Sequence, residues 1–149
     1  MSLMAWYPLD GNTKNYGAGN LAPGVSGTIT YAAGKIGAQS LKGGSLTWTA
    51  EQTASVLNNN EFSIAFWIKP TGTGYGALFG NTSMGMNNNR KFTVYTYPGP
   101  NDLHWSWMND IKDTTYAGGT IKGIFPTNKW THCCITYKNP NGCVYINGV

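Results

Sequence analysis

The chain has 149 residues, of which 11% are charged, 13% are aromatic and 20 are glycine. That length allows one domain with a real core, the aromatic content rules out a wholly disordered chain, and no apolar run approaches the ~20 residues that cross a bilayer. The formal charge of +4 comes from scattered lysines and the lone Arg90, which excludes the clustered basic stripe that grips a phosphate backbone; no nucleic acid or membrane partner is expected.

The opening Met1-Ser2-Leu3-Met4-Ala5-Trp6 has no basic stretch ahead of an apolar one. No secretory signal is expected, and residues 1–3 before Met4 read as an expression scar. Short runs of Val, Ile, Thr, Tyr, Phe and Trp bounded by Gly, Pro and Asn predict strands at 4–9, 28–31, 45–49, 62–69, 77–80, 91–97, 103–108, 130–138 and 143–147. The one helical candidate is 49–57, where Thr-Ala-Glu-Gln-Thr-Ala suits one or two turns. The glycine- and asparagine-rich stretches 17–27, 71–76, 84–89 and 110–119 read as loops. Short strands separated by turn residues predict an all-β sandwich or barrel.

Two strands carry a clear alternation. In 62–69, Phe62, Ile64, Phe66 and Ile68 share one face and Ser63, Ala65, Trp67 and Lys69 the other; Pro70 ends the strand. The last two strands flank Asn139-Pro140-Asn141-Gly142, and a four-residue loop sets Lys138 opposite Cys143 and Ile135 opposite Ile146. Cys133, Ile135, Tyr137, Val144 and Ile146 then form an apolar face, with His132, Cys134, Thr136, Tyr145 and Asn147 behind it. The three cysteines, Cys133, Cys134 and Cys143, make no closed disulfide framework and no metal-ligand spacing, so free thiols are expected.

Five pieces in order carry a family likeness: Ala5-Trp6-Tyr7-Pro8-Leu9-Asp10-Gly11-Asn12, Ala33-Gly34-Lys35-Ile36-Gly37, Phe62-Ser63-Ile64-Ala65-Phe66-Trp67-Ile68-Lys69-Pro70, Asn128-Lys129-Trp130-Thr131-His132, and Val144-Tyr145-Ile146-Asn147-Gly148. From about residue 5 to 149 the chain resembles the laminin G-like, concanavalin A-like lectin/glucanase superfamily, in its bacterial or phage branch. The resemblance implies a jelly-roll sandwich of two antiparallel sheets, forming a single domain over 4–149. Relatives continue past the Tyr-Ile-Asn-Gly strand, so the resemblance implies either a C-terminal truncation or a neighbouring chain at an open sheet edge. A start without an export signal suits a phage particle, or a fragment of a surface protein.

Glycosidases of this superfamily set carboxylates along one strand as Glu-x-Asp-x-x-Glu. Asp10, Glu51, Glu61, Asp102, Asp110 and Asp113 make no such pattern, and no enzyme is expected. Many relatives bind calcium; here Asp10 is the candidate ligand, although Asp10-Gly11-Asn12 reads more readily as a turn. Glycan binding remains, because pyranose faces stack on half-wet aromatics. The candidate residues are Trp67, Tyr95, Tyr97, Trp107, Asn109 and Asp110. Trp105 and Trp107 share a face with Leu103 and read first as core, whereas Tyr95 and Tyr97 lie opposite Phe92 and Val94 on the accessible face. The expected function is a non-catalytic, lectin-like carbohydrate-binding module; the alternative is a structural or adhesion module without a glycan ligand.

Overall fold

The computed structural model describes residues 2–57, 61–72, 74, 76–80, 92–97, 99–107, 117–138 and 141–149, except for the side chains at 50, 57, 107 and 117. The chain divides into two compact units, Met1–Asn58 and Asn59–Val149.

The first unit holds an antiparallel pair, β1 (Gly24–Ala33) and β2 (Gln39–Thr47), followed by helix α1 (Ala50–Leu57). β1 begins inside the expected 17–27 loop, because its Gly-Val-Ser-Gly start lacks an apolar alternation but still pairs, Val25 with Leu46. The helix starts where Thr49 allows it. The Thr49 hydroxyl accepts from Gln52 N–H at 3.2 Å, and the Gln52 side chain accepts from Thr49 N–H at 2.9 Å, a reciprocal capping box. Hydrogen bonds, from its own backbone N–H first and then from Thr49, hold the Glu51 carboxyl below its ordinary range.

Residues 4–9, expected as a strand, belong to no sheet. Asn15 takes the place of a ladder: its side-chain oxygen accepts from Trp6 N–H and Gly17 N–H, both at 2.8 Å. Its amide donates to Met4 O at 3.3 Å and Gly19 O at 2.8 Å. Tyr7 hydroxyl donates to the Leu21 carbonyl, and Trp48 indole N–H donates to Tyr7 Oη at 2.9 Å. Among the described residues no helix is long and apolar enough to cross a membrane.

The second unit contains two antiparallel sheets. One has the order β3 (Glu61–Ile68), β8 (Thr131–Lys138), β9 (Asn141–Ile146); the other runs β4 (Gly76–Gly80), β5 (Phe92–Thr96), β6 (Leu103–Trp107), β7 (Ala117–Ile121). They meet through aromatic rings. Phe62 of β3 sits edge-on to Phe92 of β5 at 5.2 Å, and also packs on Tyr137 of β8 at 5.2 Å. Phe92, Val94, Leu103, Phe125, Cys133 and Ile135 are the largest fully buried side chains. These sheets make the expected all-β sandwich.

The β3–β8 register sets Phe62 against Tyr137, Ile64 against Ile135 and Phe66 against Cys133, so the alternation read from sequence is the inward face. The last hairpin differs from expectation. Its loop has two residues, because Lys138 pairs with Asn141, Ile135 with Val144 and Cys133 with Ile146. A slip of two keeps every side chain on its expected face, since the strand period is two. It also brings Cys143 opposite Thr136 rather than Lys138; all three cysteines are free. The other difference is β7, which opens inside the expected 110–119 loop. Its Ala-Gly-Gly-Thr-Ile sequence carries almost no strand signal, and the pairing with β6 imposes the extended form.

Burial, and then the neighbouring Cys134, push the Cys133 thiol up to about 12. The folded chain therefore keeps a proton that the unfolded chain releases above about pH 9, so this contribution to stability is complete below that pH and is lost as pH rises to about 12. Cys133→Ala is expected to flatten the fall in urea midpoint between pH 9 and 11; an unchanged slope counts against the assignment. Phe92→Ala removes the ring that joins the sheets. Urea denaturation is expected to show a loss of about 3–5 kcal/mol.

Candidate functional site

On the four-stranded sheet, Phe92, Val94 and Leu103 point into the core, so the intervening residues look outward. Register places Tyr95 against His104 and His104 against Thr120, a row across β5, β6 and β7. The Tyr95 and His104 rings lie 4.7 Å apart with their planes at 31°. Tyr97, just past β5, meets Tyr95 edge-on at 6.0 Å and His104 at 6.2 Å and 89°. His104 Nδ1 and Thr120 Oγ1 are 2.7 Å apart, which fixes the imidazole from behind. Tyr95 is half-buried and Tyr97 is 45% exposed, so the three rings form a platform with one wet end.

The next row along the same face is polar. Thr93 and Ser106 are buried and share a hydrogen bond of 2.7 Å, which satisfies both hydroxyls. Gly118 completes that row, and only glycine fits: a Cβ there meets Trp105 O at 2.3 Å and Ser106 Cα at 2.9 Å. β7 can thus close on β6 and bring Thr120 to His104.

The expected ligand residues divide between locations. Tyr95 and Tyr97 come together, as the alternation indicated. Trp67 lies on the outward face of the other sheet, paired with His132 at a ring distance of 5.1 Å. That face also presents Tyr145, one register step along from Asn147, whose side-chain oxygen accepts from His132 N–H at 3.0 Å. Trp107 ends β6 opposite Phe92, and its side chain is outside the described set. Asn109 and Asp110 lie outside the described residues. Trp105 takes the core side, with its indole against Gly119. His104, which opens the aromatic and polar run 104–110, and Thr120 join the site although neither is among the six sequence candidates. Aligning Tyr95 with His104 across the 97–103 turn was the available signal for the first; Thr120 had none, because β7 reads as loop.

Asp10 belongs to the first unit. Its carboxylate accepts from Gln39 N–H at 2.7 Å and so straps the start of β2, while Asn12 Oδ1 accepts from Lys14 N–H at 2.9 Å. Calcium takes six to eight oxygens, usually with more than one carboxylate. Among the described residues no group of three or more His, Cys, Asp or Glu gathers, and the single carboxylate at Asp10 does not fit that ion. The other described carboxylates are also engaged: Glu61 pairs with Lys138 at 3.1 Å, and Asp102 accepts from Gly123 N–H at 2.8 Å.

Gly118→Ala is expected to destabilise the protein by about 1–3 kcal/mol through overpacking and to shift the His104 imidazole resonances. Urea denaturation and proton NMR read the two effects together, and unchanged His104 signals would contradict the role given to β7.

No curated protein and no solved structure matches the chain. A family model does: a laminin G-type model described as the concanavalin A-like lectin/glucanases superfamily matches residues 42–149. That span takes in the whole two-sheet unit and three of the five sequence pieces, from Phe62 onward. With the antiparallel sandwich beneath it, the chain belongs to the concanavalin A-like lectin/glucanases superfamily.

Proposed function

We propose that this protein is a non-catalytic, lectin-like module that binds carbohydrate on the outward face of its four-stranded sheet. The observation that carries this reading is the Tyr95–Tyr97–His104 platform, with its imidazole held by Thr120. A pyranose ring has an apolar face that stacks on such rings and hydroxyls that bond to a half-wet imidazole or phenol. The non-catalytic part is supported by the described carboxylates. Glycoside hydrolysis usually sets two acids across the scissile bond; Glu61 and Asp102, the two described in this unit, instead hold a lysine and a backbone N–H. Fold sharing alone does not decide between lectin and glucanase, so the platform carries the reading.

Isothermal titration against a glycan panel, preceded by an array screen, tests it. Tyr97→Ala is expected to weaken the best hit about tenfold with little change in stability, because Tyr97 lies outside the ladder and is exposed. An array without hits, or a hit that Tyr97→Ala leaves intact, counts against the site.

One observation favours a second reading, an adhesion or structural module of a phage tail or surface assembly. Asn147 and Gly148 both have positive φ, 53° and 89°, and Ile146 and Val149 exchange N–H···O bonds of 2.9 and 3.2 Å. This is the two-residue hairpin geometry, which starts an antiparallel pairing along the second edge of β9. Among the described residues β8 is the only strand paired with β9. A strand added on that edge is the mode of association this reading invokes. Light scattering that returns a single protomer mass across the concentration range weakens this second reading.

A further inference from the structure

The first unit carries a second aromatic corner that the platform does not use. Trp6 is 54% exposed and Tyr16 is 50% exposed, and the backbone that carries both is tied by hydrogen bonds. Tyr16 N–H donates to Trp6 O at 2.8 Å, and Asn15, between Lys14 and Tyr16, bonds four backbone groups of the two segments. Ala18 N–H to Leu3 O and Gly19 N–H to Met4 O, at 2.9 and 2.8 Å, close the same seam. The rings stand edge to face, 5.9 Å apart at 60°, and leave an angled apolar corner open to water.

A cation stands beside it. Lys14 Nζ lies over the Tyr16 ring, 5.4 Å from its centroid, and has no acidic partner among the described residues. The Trp6 ring suits a flat apolar face, with Tyr16 at its side, and the ammonium over Tyr16 suits an anion at the edge of that face. A pyranose bearing a carboxylate has both features on one ring. Stacking supplies the contact area, and the carboxylate takes a charge-assisted bond from Lys14. The backbone seam has already ordered the segments, so binding them costs little further entropy.

We infer that Trp6, Tyr16 and Lys14 form a second glycan subsite, selective for acidic sugars of the uronic acid class. The inference rests on the carbohydrate-binding reading above for its ligand class, but on different residues in a different unit. A nucleotide also combines a flat ring with an anion. It is the weaker fit, because the basic residues of the chain are scattered and a polynucleotide needs several together.

The test follows the indole N–H signals of the six tryptophans in the 15N-labelled full chain, with Trp6 assigned by Trp6→Phe. The probes are a galacturonic acid trimer, the neutral maltotriose and a short oligothymidylate. The galacturonate trimer is expected to shift the Trp6 signal at about tenfold lower concentration than maltotriose. Lys14→Gln is expected to erase that difference while the other indole signals stay in place, and Tyr97→Ala is expected to leave it intact. A silent Trp6 signal, an undiminished preference in Lys14→Gln, or tighter binding of oligothymidylate overturns the subsite. If Trp6 stays silent while a glycan still binds in a Tyr97-dependent way, the subsite falls and the main reading stands. If Trp6 responds as expected and no Tyr97-dependent binding exists, the subsite stands and the platform falls.

Discussion

The edge-on contact between Phe62 and Phe92 is the interaction from which the layout of the second unit follows. It joins a three-stranded sheet to a four-stranded one and so decides which face of each strand is dry. Once Phe62 points inward, the two-residue period of β3 sends Trp67 outward; once Phe92 points inward, the period of β5 sends Tyr95 outward. The outward aromatic groups are a consequence of the core, because each stands one residue from an inward-facing neighbour.

The same logic separates groups that a list of aromatics would combine. Trp67 and Tyr95 are both outward, but they belong to different sheets of the sandwich. Tyr95, Tyr97 and His104 gather because antiparallel pairing sets Tyr95 across from His104 and the chain turns at residues 99–101 between the two strands. Thr120 reaches His104 only because Gly118 lets β7 approach β6 closely. A residue without a side chain thus lets a hydroxyl hold an imidazole.

The first unit obtains order by another route. Its opening segment has the composition of a strand and pairs with no strand among the described residues. Asn15 supplies two acceptor positions on its oxygen and two donors on its amide, and these replace the missing ladder bonds. Side-chain bonding of this kind holds a chain without a regular period, which is why the aromatic corner there escapes a reading based on alternation.

The all-β class, the inward faces of β3 and β8, the helix over 49–57 and the superfamily likeness were legible in the residues alone. Each of these depends on residues close in the chain: a period of two, a Thr-Ala-Glu-Gln-Thr-Ala stretch, a motif. The two-residue loop of the last hairpin, the existence of β7, the fate of residues 4–9 and the meeting of Tyr97 with His104 came from the three-dimensional arrangement. These depend on which strand lies beside which. A slip of two residues leaves the alternation unchanged, and glycine, with no side chain to favour the extended form, is held in it by a neighbour's hydrogen bonds.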